Sequence, residues 1–250
     1  MSDSREYKDK KAFFEKVITL YGRNVVIEML QDQSITIHKL HLANSNRPDG
    51  SIEKIVTLAK NRGIEVTEHN KNTLSRISKN AKQDQGVAID IISKSYQSAD
   101  TIKRLNSYRL IALDGIHNPQ NLGMIIRSCA AGDIDGIILP KKNSAKISPL
   151  VAKASAGTLF KLPIYFCDKL EDLLRELDNT NIYALSSHAE SDIYDIKEKK
   201  RSIYVLGNES EGVSKEVIAL CNDSFKIPMQ REVESLNIAI TAALIAFMRS

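Results

Sequence analysis

The run Ile238–Met248, IAITAALIAFM, carries no charged side chain and a single hydroxyl. A helix that is apolar on every face has to be covered on every face. Spanning a bilayer takes roughly 20 such residues, so this run is too short to do so. The chain must therefore wrap it in the rest of a domain or in a second copy of itself. The loop before it ends in Ser235-Leu236-Asn237, where a Ser or Asn oxygen can accept a free N–H of the first helical turn. Ahead of that loop, Phe225–Ile227 reads as a short apolar strand running into Pro228-Met229. The loop thus lies at the carboxyl end of a strand, where open α/β sheets take their ligands.

The same alternation extends back to Arg109. Apolar strands are expected at Leu110–Leu113, Gly136–Leu139, Leu162–Phe166, Ile182–Leu185, Ile203–Leu206 and Phe225–Ile227. Helices are expected near Leu122–Ala131, Pro149–Ala156, Leu170–Leu177 and Lys215–Cys221, before the last one. Near-continuous apolar strands separated by helices predict an α/β fold, a parallel sheet covered by helices on both faces. The first 92 residues form a smaller α/β unit. It comprises helices at Asp9–Leu20, Arg23–Gln31, Ser51–Arg62 and Thr73–Lys79, and strands at Thr36–Ala43, Glu65–Glu68 and Val87–Ile92. The polar stretch Ser93–Ser107 reads as a linker, which divides the chain into domains 1–95 and 108–250 with residues 96–107 between them.

Three cysteines in apolar stretches, with no CxxC and no Cys/His spacing, predict reduced structural thiols and no zinc. The amino terminus has no apolar core for a signal peptide, so a cytoplasmic protein with no membrane partner is expected. The net charge of +4 is unevenly spread. Residues 1–107 hold 18 Lys+Arg against 13 Asp+Glu, whereas residues 108–250 hold 17 against 18. The surplus sits in the first part, as in an arm that holds a polyanion while the second part does chemistry; a merely solvated basic surface has the same charge.

Three junctions carry the groups that could do chemistry. In the first, LDGIHNPQNLGMIIRSCAAG, Arg127 is the lone charge on a helix of apolar and small residues. Its guanidinium fork suits an anion, or it pairs with a carboxylate at a domain edge. Asn118 and Asn121 suit turn and cap positions. In the second, VLGNESEGVS, Gly207 and Gly212 allow close backbone approach. Glu209 can hold a ribose hydroxyl or fix Arg127, or the acids merely favour a helix start capped by Ser214. The third is the Ser235-Leu236-Asn237 loop. GxGxxG, a P-loop, HExxH and a Ser-His-Asp order are all absent.

Together these junctions resemble the three signature motifs of the SpoU family of RNA ribose 2′-O-methyltransferases, within the SPOUT superfamily. Asn118, Pro119, Asn121, Gly123 and Arg127 match NPxNxGxxxR. Gly207, Glu209 and Gly212 match GxExxG. Ile227, Pro228, Met229, Ser235, Leu236 and Asn237 match IPM…SLN, and Lys153–Gly157, KASAG, is similar to a further family helix. The resemblance covers about residues 108–250. The first domain resembles, less specifically, the L30e-like substrate-binding domain of several members, through Gln85-Gly86-Val87.

The resemblance implies a sheet tied into a C-terminal trefoil knot, which general topology rules would not anticipate. It implies S-adenosylmethionine as cofactor, held near Ser186, Leu206, Gly207, Ile227, Met229 and Leu236, and a homodimer with its active site at the interface. Arg127 would be the catalytic group, as desolvated base or as clamp on phosphate and 2′-oxygen, with Asn121, Glu209, Ser235 and Asn237 arranging it and the ribose. The expected substrate is RNA, 23S rRNA first; a tRNA enzyme of the family and an inactive RNA-binding protein are the alternatives. Ser187-His188-Ala189 departs from the Asp-Gly that many relatives carry there, so the cofactor rim is expected to differ.

Overall fold

The computed structural model describes residues 17–80, 82–92, 95–196 and 198–248. The chain divides into two compact units. One runs to Lys94 and takes in Ile147–Pro149; the other comprises Ser95–Lys146 and the chain from Leu150 onward.

The first unit orders its strands β1 (Val17–Tyr21), β4 (Val87–Ile92), β2 (Thr36–Ala43) and β3 (Val66–His69), with β2 and β3 parallel and the other pairs antiparallel. Helices α1 (Arg23–Gln31), α2 (Gly50–Asn61) and α3 (Lys71–Ser78) fill the connections. The expected helix at Asp9–Leu20 is corrected where it can be seen: residues 17–20 are strand, and residues 9–16 lie outside the described residues. Val17-Ile18-Thr19 is β-branched and pairs with Asp90–Ile92, so tertiary pairing outweighs a helical periodicity. Helix α2 starts where Asp49 accepts from Ser51 N and Ile52 N, both at 3.0 Å. The open carbonyls at the end of α1 are met by Arg62, whose guanidinium donates to Met29, Leu30, Asp32 and Ile35.

Among its described residues the second unit has one sheet of eight strands, in the order β10-β12-β9-β11-β6-β7-β8-β5. These are β5 (Tyr96–Ser98), β6 (Tyr108–Leu113), β7 (Gly136–Pro140), β8 (Ile164–Cys167), β9 (Asn181–Leu185), β10 (Ser191–Asp192), β11 (Arg201–Leu206) and β12 (Asp223–Lys226). Every neighbouring pair is parallel, as the apolar runs predict. The helices are α4 (Pro119–Ala131), α5 (Pro149–Ala154), α6 (Leu170–Arg175), α7 (Lys215–Ile218) and α8 (Ile238–Phe247). The stretch expected as linker is partly structure: Tyr96–Ser98 pairs with β8, and Ala99–Arg104 forms a 3₁₀ turn. Three residues are too few to display strand alternation, yet Tyr96, Ala99 and Ile102 are buried there.

Helix α8 packs on α4 and is pinned at its carboxyl end. Arg109, itself buried, donates to Ile245 O at 2.9 Å and Met248 O at 3.2 Å, and Asp133 N donates to Ala246 O at 2.7 Å. Glu198 balances the guanidinium at 2.6 Å. The expectation that α8 is covered all round is met only in part within one chain. Ile238, Ala242, Ile245 and Ala246 are buried, whereas Ile240, Leu244 and Phe247 are 48%, 39% and 61% exposed. No helix among the described residues is long and apolar enough to cross a membrane.

Candidate active site

The first loop follows β6. Asn118 caps α4, its Oδ1 accepting from Gln120 N at 2.8 Å and Asn121 N at 3.4 Å. Pro119 can open the helix because its missing N–H would have had no partner there. Gly123 lets α4 lie against α5, since a Cβ would sit 2.5 Å from Ala154 Cβ and 2.7 Å from Val151 O. The close approach leaves Asn121 buried.

The second loop follows β11. Asn208 and Gly212 exchange backbone hydrogen bonds of 2.9 and 2.8 Å, closing a tight turn with Gly212 at φ 72°. A Cβ on Gly207 would run into the Gly212 backbone. The turn is tied to the end of β6: Asn208 Nδ2 donates to Gly115 O at 3.0 Å, and Ser214 N donates to Asp114 Oδ2 at 2.8 Å. Ser214 stands at the start of α7, but its side chain makes no cap bond; Asp114 serves its N–H instead. Asn208 and Asp114 were not singled out in the sequence, although Asp114-Gly115 directly after an apolar strand is a recognisable turn signal.

The third loop ends where Asn237 caps α8, accepting from Ala239 N at 2.9 Å. Its Nδ2 reaches Asn121 Oδ1 and Glu209 Oε1, both at 3.2 Å, and Asn121 Nδ2 donates to Glu209 Oε1 at 2.6 Å. One residue from each loop thus enters a single polar cluster. The bonding fixes both amide orientations and gives the Glu209 carboxylate two amide donors, with no cation paired to it among the described residues. Such an anion can orient donors or accept a further hydroxyl.

Beside the cluster opens a cavity of about 990 Å³, at the upper end of the usual range for ligand pockets. Ser186, Gly207, Ile227, Met229 and Leu236 line it, as do Glu209, Ser235 and Asn237. Leu206 does not; it is fully buried in β11 directly before Gly207. Ser187, His188, Glu190, Asp192 and Asp195 line the cavity as well; the three acids had no motif to mark them. Arg127 is absent from the lining. It is exposed on α4, six residues beyond Asn121 and therefore about 240° further round the helix. A single chain gathers Asn121, Glu209 and Asn237 but leaves Arg127 outside.

The thiols take no part: burial pushes Cys129 and Cys167 up to about 12 and Cys221 to about 11. Among the described residues no group of three or more His, Cys, Asp or Glu side chains is placed to hold a metal.

A family model described as the SpoU rRNA methylase family matches residues 108–247. The chain belongs to the SpoU rRNA methylase family. A second model, for the substrate-binding domain of RNA 2′-O ribose methyltransferases, matches residues 19–97. Among similar proteins is an uncharacterized tRNA/rRNA methyltransferase of Mycolicibacterium gilvum, 30% identical over 90% of this chain and 73% of its own. Another is the 23S rRNA (guanosine-2′-O-)-methyltransferase RlmB of Xanthomonas axonopodis pv. citri, 27% identical over 91% of this chain and 94% of its own. The fold is shared with an AdoMet-bound rRNA methyltransferase from Sinorhizobium meliloti, at TM-score 0.66 and 24% identity over 97% of this chain and 88% of that one.

Proposed function

We infer that this SpoU family member transfers a methyl group from S-adenosylmethionine to a ribose 2′-hydroxyl of RNA, and that its RNA is 23S rRNA, with a guanosine as the target. The observation that carries the reading is the hydrogen-bonded meeting of Asn121 with Glu209 and Asn237, both of which line the cavity. The substrate follows the relatives named for 23S rRNA guanosine methylation, and places the enzyme in the cytoplasm.

The cavity suits the cofactor. Gly207 is buried, and the Gly212 backbone fills the space a side chain would take, so the turn folds tightly into the cavity wall. When bound there, S-adenosylmethionine supplies an electrophilic methyl on a sulfonium, open to in-line attack. Ser186, Gly207, Ile227, Met229 and Leu236 hold it, with Leu206 setting the turn from behind. Ser235 and the Asn121–Glu209–Asn237 cluster orient the ribose. Arg127 is the remaining catalytic group: a guanidinium is charged at neutral pH, and it binds the phosphate and steadies charge developing on the 2′-oxygen.

Arg127 comes to the site in a homodimer. Ile240, Leu244 and Phe247 of α8, with Met124 of α4, leave an apolar face uncovered on the same packed helix pair that carries Arg127. A second copy covers that face and brings an Arg127 toward the cluster. The last segment, from Ile227 through α8, shares its cavity with the 186–195 and 207–213 loops, which supports a trefoil knot there. Residues 19–97 form an L30e-like unit that binds the RNA, with the domain border near residue 95.

The test incubates the protein with S-adenosylmethionine labelled in its methyl group and unmodified 23S rRNA, then digests the RNA for mass spectrometry. One 2′-O-methylguanosine is expected. A label on a base, or none, rejects the reading; a label on tRNA alone moves it to tRNA, the other substrate in the tRNA/rRNA names of several relatives.

A further inference from the structure

We propose that the loop following β7, through Lys142 and Lys146, is a second binding site for the RNA backbone, carried by the methyltransferase unit itself. The proposal rests on the RNA-methyltransferase reading above and adds the surface by which this unit grips its substrate.

Three observations converge. Residues 136–167 contain lysines at 141, 142, 146, 153 and 161 and no Asp or Glu, in a half of the chain whose total charge is close to zero. Along the sequence the segment is therefore a run of one sign, with Asp168 just beyond its end. Next, Lys142 and Lys146 are exposed, and neither has a carboxylate partner among the described residues. Lys141, in this same loop, pairs with Asp168 at 3.0 Å. Finally, the loop is fixed at the catalytic end of the sheet. Lys141 N donates to Cys167 O at 2.8 Å, and buried Ala145 donates its N–H to Ile116 O at 2.7 Å. Ile116 lies two residues before Asn118, the cap of the helix that carries Asn121 and Arg127. The two free ammonium groups are thus anchored to the loop that leads into the polar cluster.

A phosphate backbone is the occupant this charge fits. Each phosphate neutralised by a lysine releases condensed counterions, so the contact is read in the salt dependence of binding. The chemistry demands no base specificity, which agrees with point charges on flexible stems.

The experiment measures binding of unmodified, in vitro transcribed 23S rRNA to the full chain over a series of KCl concentrations. It compares the native sequence with Lys142→Gln/Lys146→Gln and Lys142→Arg/Lys146→Arg. Loss of two single-strand contacts should lower the slope of log K against log salt by about 1.4. The affinity of the Gln variant should fall roughly tenfold, while the Arg variant keeps the native slope and S-adenosylhomocysteine affinity is unchanged in both. An unchanged slope in the Gln variant, or equal losses in the Gln and Arg variants, overturns the proposal. Failure of the underlying reading is separate: native protein would then put no methyl on ribose, whatever the slopes.

Discussion

The methyltransferase unit combines a cavity lined mainly by acids with a stretch of chain, residues 136–167, that carries lysines and no acid. The cavity is lined by Glu190, Asp192, Asp195, Glu209, Glu211 and Glu234 against Lys226 and His188. The loop after β7 and the segment around it carry five lysines and no acid. Averaged over residues 108–250 the two nearly cancel, so the total charge placed the whole basic surplus in the first unit. The contrast teaches that ligand preference is written in segregation and not in the sum. A carboxylate-rich cavity favours a sulfonium cation, and a lysine block favours a polyanion.

Arg127 belongs to neither region, and replacing it is the severest way to separate them. Arg127→Ala should lower methyl transfer by about 10²–10³-fold, the usual loss when one group facing developing charge is removed. S-adenosylhomocysteine binding, measured by calorimetry, should stay within about twofold. Native turnover in the variant would remove Arg127 from the chemistry. Lost cofactor binding would instead put Arg127 on the cavity side of the comparison.

Next in size is Asn121→Ala. It takes the 2.6 Å donor from Glu209 and the acceptor from Asn237. An unsatisfied, part-buried partner costs about 1–3 kcal/mol, so kcat should fall roughly 5- to 150-fold. The salt slope for RNA should not move if, as proposed, the cluster holds the ribose and not the backbone. A changed slope with native kcat would mean that cluster and lysine loop form one surface.

The proposed dimer interface comes third. Leu244→Lys in α8 should shift the sedimentation of the protein from dimer toward monomer, and methyl transfer should fall in step with the dimer fraction. A monomer that retains full turnover would show that Arg127 reaches the ribose within one chain.

Much of this arrangement was legible in the sequence. The parallel sheet was readable because strands such as Tyr108–Leu113 and Arg201–Leu206 are buried nearly throughout and so carry continuous apolar runs. Asn118 and Asn237 were readable as caps because capping is local. The convergence of Asn121, Glu209 and Asn237 was not derivable from spacing, since it depends on sheet order; the family motifs supplied it. Strand β5 was too short to show a period. Val17–Leu20 followed its partner Asp90–Ile92 rather than its own pattern. Glu190, Asp192 and Asp195 escaped notice because no motif marks them, and the lysine run because it vanishes in an average.

The smallest expected effect concerns a third charged group, in the first unit, and tests whether segregation there also has a measurable consequence. Thr19 Oγ1 donates to Asp90 Oδ1 at 2.6 Å, Asp90 Oδ2 meets His41 Nε2 at 3.0 Å, and His41 Nδ1 meets His69 Nε2 at 3.0 Å. Burial, then the neighbouring His41 and Lys39, hold His69 below its usual 6.5. Between that lowered value and 6.5 the unfolded chain binds more protons than the folded one. The stabilising contribution is therefore complete above about pH 6.5 and is lost as pH falls through the folded value. Asp90 responds only at lower pH. Burial pushes its carboxyl up, but the bonds from His41 and Thr19 outweigh burial and leave it below 3.8. Because His69 is only partly buried, the melting temperature should drop by the order of 1 °C between pH 7.5 and 5.5. His69→Gln should flatten that limb of the curve; an equally steep limb in the variant would assign the pH response to other groups and leave the histidine pair as plain framework.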